Sequence, residues 1–294
     1  MQNLHRCMMC PRMCGIDRKT QTGFCHAGEM IKINLAMLHF GEEPPISGLS
    51  GSGTIFLSNC NLKCVFCQNY KISSLGWGKE YSTLQVVKLM LELQNKGAHN
   101  INFVTPSHFS EQLRECILIA KEQGLSIPIV WNSNAYENVE VLERLDKLVD
   151  IYLPDLKFAH GVYSKRYCNA ADYVSISRAA VKFMYKQVGN LHVDAEGIAK
   201  SGMIIRLLVL PHKLANVENT LRWIAEELGT EIDLSIMGQY YPTHRALDFK
   251  ELNRGIEQAE YDMILSHAHE LGFTNVFAQE LSCNSEWTPN FETA

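Results

Sequence analysis

The chain has 294 residues, 46% of them hydrophobic, which is ample for one large α/β barrel or for two modest domains. Its formal charge of −5, with acids and bases mixed along the sequence, offers no broad attraction to nucleic acid or to an anionic membrane. No apolar run approaches the roughly 20 residues of a membrane span and the N-terminus lacks a signal-peptide core, so a cytoplasmic protein is expected, with close cysteines serving as metal ligands or redox groups.

Residues 1–50 read as a cysteine-rich, metal-binding extension. Cys7, Cys10, Cys14 and Cys25 place four thiols within nineteen residues, enough to organise a loop with little core of its own. Tetrahedral zinc is the simplest occupant, an iron-sulfur cluster is its competitor, and a redox pair or an empty loop is the remaining alternative. His26 is a substitute ligand. Gly48-Leu-Ser-Gly-Ser-Gly53 lacks the lysine of a phosphate loop and reads as a linker into a second unit, residues 51–294.

The strand-like stretch Thr54–Ser58 runs into Cys60-Asn-Leu-Lys-Cys64-Val-Phe-Cys67, three thiols in eight residues. Three thiolates hold three irons of a four-iron four-sulfur cluster and leave the fourth iron open to a ligand, whereas structural zinc or a closed carrier cluster needs a fourth partner that does not follow nearby. Ser82 and Gln85 form a capping box for a helix faced by Leu84, Val87 and Leu91 and stopped at Gly97. A strand at Asn100–Thr105 leads through Pro106-Ser-His108 to a helix from about Ser110 to Gln123, where Cys116 shares an apolar face with Leu113, Ile117 and Ala120. Ile127–Trp131 is the next strand, followed by the polar turn Asn132-Ser-Asn134 and a helix carrying Val141, Leu142, Leu145 and Leu148. Ile151–Leu153 then ends at Asp155-Leu-Lys157.

A helix over roughly Asp172–Gln187 precedes the apolar strand Met203–Leu210, which Arg206 interrupts. An unpaired guanidinium there would be costly, so a carboxylate partner is expected, from the protein or from a ligand. Asn216 caps a helix through Leu221, Ile224 and Leu228, and Ile232–Met237 is the sixth candidate strand. Six βα units, with a C-terminal helix and strand, predict a whole or partial barrel whose loops after the strands gather the unusual polar residues on one rim. An open doubly wound sheet gives a similar string, but no G-x-G-x-x-G turn follows the first strand. Cys168 and Cys283 read as isolated thiols.

The C-x3-C-x2-C spacing, with an aromatic before its last cysteine, resembles the signature of the radical S-adenosylmethionine (SAM) enzymes. The blocks Asn102–His108, Trp131–Asn134, Asp150–Lys157, Arg206–Pro211 and Met237–Pro242 extend the resemblance to homologues of pyruvate formate-lyase activating enzyme. It implies a (β/α)6 partial barrel in which Cys60, Cys64 and Cys67 ligate a 4Fe-4S cluster and the backbone at Phe66 meets the adenine. The turn holding Thr105 and Ser107 falls where such enzymes contact the SAM amino group through a Gly-Gly-Glu segment, from which this chain departs. Asn132 and Asn134 are implied for the ribose or methionine part, with turn formation as the alternative, Lys157 and Arg206 for the SAM carboxylate, and Asp155 for a lysine or substrate amide.

That resemblance implies reductive cleavage of SAM to a 5′-deoxyadenosyl radical that abstracts hydrogen, with a flavodoxin or ferredoxin as electron donor and a glycyl-radical enzyme as protein substrate. Radical modification of a small molecule or another macromolecule is a further option within the class. A noncatalytic iron-sulfur or zinc module, used for redox or scaffolding, is the alternative outside it.

Overall fold

The computed structural model describes residues 5–279, 281 and 288–293, and Cys283 lies outside them. In chain order the strands are β1 (Ile31–His39), β2 (Ser52–Leu57), β3 (Lys79–Tyr81), β4 (Ile101–Val104) and β5 (Ile129–Ser133). They continue with β6 (Ile151–Pro154), β7 (His192–Val193), β8 (Ala199–Leu208), β9 (Asp233–Met237) and β10 (Val276–Ala278). The sheet order is β10-β9-β8-β6-β5-β4-β2-β1-β3, with β7 paired to β8 off that path. The strands from β2 to β10 on this path are parallel neighbours, and β1 is antiparallel to both β2 and β3. The result is an α/β fold on a mostly parallel sheet. The six strands expected from the sequence are β2, β4, β5, β6, β8 and β9.

Every residue of β2, β4, β5 and β6 is buried, which suits parallel strands covered on both faces. The larger crossover helices are α1 (Thr83–Asn95), α2 (Ser110–Glu122), α3 (Val139–Glu143), α4 (Gly161–Cys168), α5 (Tyr173–Val188), α6 (Val217–Glu227) and α7 (Gln258–Glu270). The Ser82–Gln85 capping box is present at α1, and Asn216 caps α6 by accepting from the Asn219 N–H. The buried stripe of α1 is Val86, Val87, Met90 and Leu93, while Leu84, in the first turn, is 65% exposed. Cys116 is fully buried on the apolar face of α2, as expected. Helix α3 stops at Glu143, well short of Leu148, and Lys147 takes a left-handed φ of 61° that no right-handed helix can accommodate.

The boundary expected at residue 50 falls between β1 and β2, which pair side by side from Ile33 and Leu57 to His39 and Ser52. Gly53 belongs to β2; a Cβ there would stand 2.7 Å from the Asn100 carbonyl oxygen, so the approach of β2 to the chain entering β4 requires glycine. Among the described residues no helix is long and apolar enough to cross a membrane. Because the central strands are parallel, the loops after β2, β4, β5, β6, β8 and β9 emerge on one rim, and the site is built there.

Phe103 on β4 is fully buried and meets Trp131 of β5 edge to face, ring centroids 6.4 Å apart. Phe103→Ala is expected to lower unfolding free energy by about 3–5 kcal/mol, measured by urea titration. A loss below ~1 kcal/mol would show that the sheet core collapses readily around this position.

Candidate functional site

The loop that follows β2 turns at Asn59, whose φ is 73°, and carries the three thiols across the rim. It lies in a crowded place where its backbone groups need partners, and neighbouring loops supply them. The Val65 N–H donates to the Tyr167 carbonyl at 2.8 Å, the Lys63 N–H to the Cys168 carbonyl at 3.2 Å, and the Arg12 Nε to the Asn61 carbonyl at 2.9 Å. The Asn61 amide donates to the Tyr136 carbonyl at 2.8 Å, fixing the segment between Cys60 and Cys64.

Cys60, Cys64, Phe66 and Cys67 line one wall of a cavity of about 180 Å³. The facing wall carries Thr105, Asn132 and Asn134 from the ends of β4 and β5, Asp155 and Lys157 from beyond β6, and Arg206 from β8. The structure therefore brings ten of the eleven sequence-selected residues of the barrel together. Ser107 does not join them: it is fully buried in the turn after β4, and its hydroxyl donates to Glu137 Oε1 at 2.9 Å.

Each thiol has polar company. Cys60 Sγ accepts from the Leu62 N–H at 3.3 Å and from the Asn134 amide at 3.4 Å, and Cys67 Sγ lies 3.2 Å from the Ser73 hydroxyl. Cys168, expected to be isolated, donates from Sγ to Cys64 Sγ at 3.1 Å; it closes α4, 104 positions along the chain. Burial pushes Cys60 up to about 12 and Cys67 up to about 11, while Cys64 is raised first by the Cys168 bond and then by burial. The Lys157 charge pulls all three the other way, toward the thiolate that binds metal.

Opposite the thiols lies a buried ion network. Arg206 donates from Nε to Asp155 Oδ1 at 2.9 Å, from Nη1 to Glu42 Oε2 at 2.9 Å, and from Nη2 to Asn132 Oδ1 at 2.8 Å. Lys157 Nζ takes the other Asp155 oxygen at 2.8 Å. The carboxylate expected for Arg206 thus comes from the protein itself. Burial pushes the Asp155 carboxyl up, and the Lys157 and Arg206 charges more than reverse this, leaving it below its ordinary value. Burial pulls Lys157 and Arg206 down, and Asp155 first among their partners holds both well above their usual range. Glu43 behaves differently: burial raises its carboxyl and the Arg206 charge only partly offsets the effect.

Thr105 lines the cavity with a φ of 61°, a left-handed conformation that is strained for a β-branched residue. Its N–H donates to the Asn132 carbonyl at 2.8 Å, which pins the turn. Asn134 is committed to the cysteine loop, donating to Asn61 Oδ1 at 2.8 Å as well as to Cys60. The sequence reading missed Glu42 and Glu43, which follow β1 inside the segment assigned to the extension. The signal available was the demand of Arg206 for a carboxylate. It also missed a polar recess of about 100 Å³ beside the main cavity, where His39, Glu42, Glu43 and Gln279 join Arg206 and Gln239.

A family model described as the Radical SAM superfamily matches residues 54–189. An uncharacterised protein of Methanocaldococcus jannaschii is 30% identical over 283 residues, covering 92% of this chain and 76% of the relative. A second uncharacterised protein of that organism is 23% identical over 266 residues, covering 84% of this chain and 73% of the relative. Among solved structures, HydG, described as a maturase of the FeFe-hydrogenase, superposes with a TM-score of 0.53 at 13% identity, over 78% of this chain and 52% of that one. HydG from Carboxydothermus hydrogenoformans gives 0.51 at 13% identity, over 80% and 60%. This chain spans about half to three fifths of those HydG chains, and the likeness at that identity is one of fold.

Asp155→Asn removes the anion between two buried cations and is expected to destabilise the protein at pH 7 by about 3–5 kcal/mol. Because the native carboxyl titrates below its ordinary 3.8, its contribution is present above that value and is lost as pH falls through the lower native one. Urea titrations at pH 7 and pH 3 should show the gap between wild type and variant narrowing in acid. An equal gap at both values would mean that the charge of Asp155 does not carry the effect.

Proposed function

We propose, from the premise that the chain belongs to the radical SAM superfamily, that it binds a 4Fe-4S cluster on Cys60, Cys64 and Cys67 and cleaves SAM in the adjoining cavity. The observation that carries this reading is that three thiols and the facing Lys157, Asp155 and Arg206 line one cavity at the strand ends. The thiols fit the group: they are soft donors, they receive N–H and O–H bonds, and a lysine charge favours their ionised form. When bound, the cluster supplies the electron that splits SAM into methionine and a 5′-deoxyadenosyl radical for hydrogen abstraction.

The protein's part is binding, orientation and exclusion of water. Lys157 spends one donor on Asp155 and has two more for the SAM carboxylate. Arg206 acts mainly through others, since Asp155, Glu42 and Asn132 take three of its five donors and it fixes their positions. The Asn132 amide gives one N–H to Glu42 Oε1 at 3.3 Å and has one left for ribose or methionine, and the Thr105 carbonyl suits the SAM ammonium. Phe66 packs edge to face on Phe158 at 6.0 Å and on Tyr240 at 6.3 Å, so its backbone is held steady for the adenine. The polar recess around Glu42 and Glu43 is the place for the group that loses hydrogen.

The six parallel strands support the partial-barrel reading of this sheet. Within it, the resemblance to pyruvate formate-lyase activating enzyme favours activation of a glycyl-radical partner, with a flavodoxin or ferredoxin as reductant and a cytoplasmic setting. Anaerobic protein supplied with iron, sulfide and a strong reductant is expected to form 5′-deoxyadenosine, and alanine at Cys60, Cys64 or Cys67 to reduce it to background. Lys157→Met should weaken SAM binding by about 10-fold or more, since a hydrogen bond to a charged group is worth ~1.5–3 kcal/mol. Undiminished cleavage in all three cysteine variants would sink the assignment.

Cys168→Ala is expected to lower the cluster's midpoint potential, because the lost S–H donor stabilised the electron-rich thiolate of Cys64. The measurement is an anaerobic redox titration followed by electron paramagnetic resonance. An unchanged or higher potential would show that this contact does not act on the cluster.

A further inference from the structure

We propose that Cys7, Cys10, Cys14 and Cys25 bind a single divalent cation of the zinc class, with the charge of the site neutralised by Arg12 and Arg18. The assignment rests on this segment alone and is independent of the reaction proposed at Cys60, Cys64 and Cys67. Between residues 6 and 30 the chain forms no helix or strand, only turns. The Cys7 N–H donates to the Ile16 carbonyl at 2.8 Å and the Gly15 N–H returns to the Cys7 carbonyl at 2.9 Å, which sets Cys14 beside Cys7. Gly23 brings the Cys25 turn against Cys14: a Cβ at Gly23 would stand 2.7 Å from Cys14 Sγ. The Phe24 N–H points at that sulfur from 3.5 Å.

All four thiols line one small cavity. His26, a sequence candidate for the same site, is exposed and outside it. The cavity also has two guanidiniums in its wall. Arg18 is 3% exposed; it donates to the His108 and Ala27 carbonyls and to the Met9 sulfur, and its Nη2 is buried without a partner. Arg12 lies 3.8 Å over the Phe24 ring, and its Nη2 is likewise buried without a partner. Among the described residues neither arginine pairs with a carboxylate; Arg18 carries a buried charge and the half-buried Arg12 turns a buried N–H group inward, and both call for an anion.

Metal binding supplies that anion. A divalent ion replaces the four thiol protons, which leave to solvent, and four thiolates around the ion carry a net charge of −2. The two guanidiniums bring the sum to zero, and their spare N–H groups are donors for thiolate sulfur. Size selects the occupant: the enclosed space is about 10 Å³, room for the centre of one water-sized sphere, against about 180 Å³ beside Cys60, Cys64 and Cys67. A space of that size suits one ion, whereas an eight-atom cluster would require the walls to move outward. Neither the quartet nor the trio already stands at ligand spacing among the described residues, so side-chain rotation draws the sulfurs in when metal binds.

The unit is also stitched to the other cysteine loop. Arg12 holds the Asn61 carbonyl, Asn138 holds the Met8 carbonyl at 3.1 Å, and Arg18 holds the His108 carbonyl, whose ring Nε2 in turn meets the Ser58 carbonyl at 2.8 Å. Elemental analysis of the full chain carrying alanine at Cys60, Cys64 and Cys67 should find about one zinc per chain with neither iron nor sulfide. Arg12→Met and Arg18→Met leave all four thiols in place, so they test the charge balance without deleting a ligand. Each should release zinc to a colorimetric chelator at least about 10-fold faster than wild type, as expected when a charged group beside the ligands is removed. Iron with sulfide in the triple-alanine protein, absence of any metal, or wild-type release rates from both arginine variants would overturn the proposal.

Discussion

One guanidinium organises the rim. Arg206 reaches Asn132 at the end of β5, Asp155 beyond β6 and Glu42 beyond β1 while standing on β8 itself, so four parts of the sheet are tied at a single group. Burying a charge is tolerable only when it is paired and hydrogen-bonded, and here Arg206 and Lys157 are matched by Asp155 and Glu42. Glu43, whose carboxyl is pushed up by burial, is the group that can stay neutral without disturbing the match. The network therefore places two cations opposite three thiols without leaving excess charge in the core. Its cost in desolvation is of the kind expected at a site and not in a region built for stability alone.

What could be read from the sequence follows the range of the interaction involved. The strands of the parallel sheet were legible because each is a short apolar run set off by turn residues, and the caps at Ser82 and Asn216 because they act within three residues. Arg206 was legible as a misfit, a charge in an apolar strand, although its partner Glu42 lies 164 positions away. The trio was legible from spacing. Cys168 was not: it meets Cys64 only because α4 ends against the cysteine loop, a contact 104 positions in range that no local pattern encodes. Nor was β1, which is buried only at Ile31, Ile33 and Asn34, is half-exposed from Leu35 to His39, and owes its membership in the sheet to antiparallel pairing across a loop.

The two sets of thiols answer to different physics. Around Cys60, Cys64 and Cys67 the protein leaves a wide cavity of mixed polar and apolar lining, with Lys157 the cation that acts on the sulfurs, so they face a space larger than a metal ion. Around Cys7, Cys10, Cys14 and Cys25 the walls close in, and the charged groups that remain in them are the cations Arg12 and Arg18. Apart from the Cys7, Met9 and Ile16 cluster, the segment has little apolar core of its own. A short stretch of turns without such a core must take its order from other contacts, as small metal-organised units do.

The cysteine loop after β2 has no regular hydrogen-bond ladder, yet Cys60, Asn61 and Leu62 are almost entirely buried. Buried irregular backbone is stable only if each polar group finds a partner, and here each partner comes from a different part of the chain. Tyr136 and Asn134 from the loop after β5 hold Asn61; Tyr167 and Cys168 from α4 hold Val65 and Lys63; Arg12 holds Asn61 from the N-terminal turns; and the Arg245 N–H holds the Val65 carbonyl at 2.9 Å. The geometry of the three thiols is thus set by the surrounding fold, with the loop's own φ/ψ preferences secondary. Substitutions in those supporting loops would move the sulfurs as a group, whereas the spacing of Cys60, Cys64 and Cys67 along the sequence records only which residues are carried, not what holds them in place.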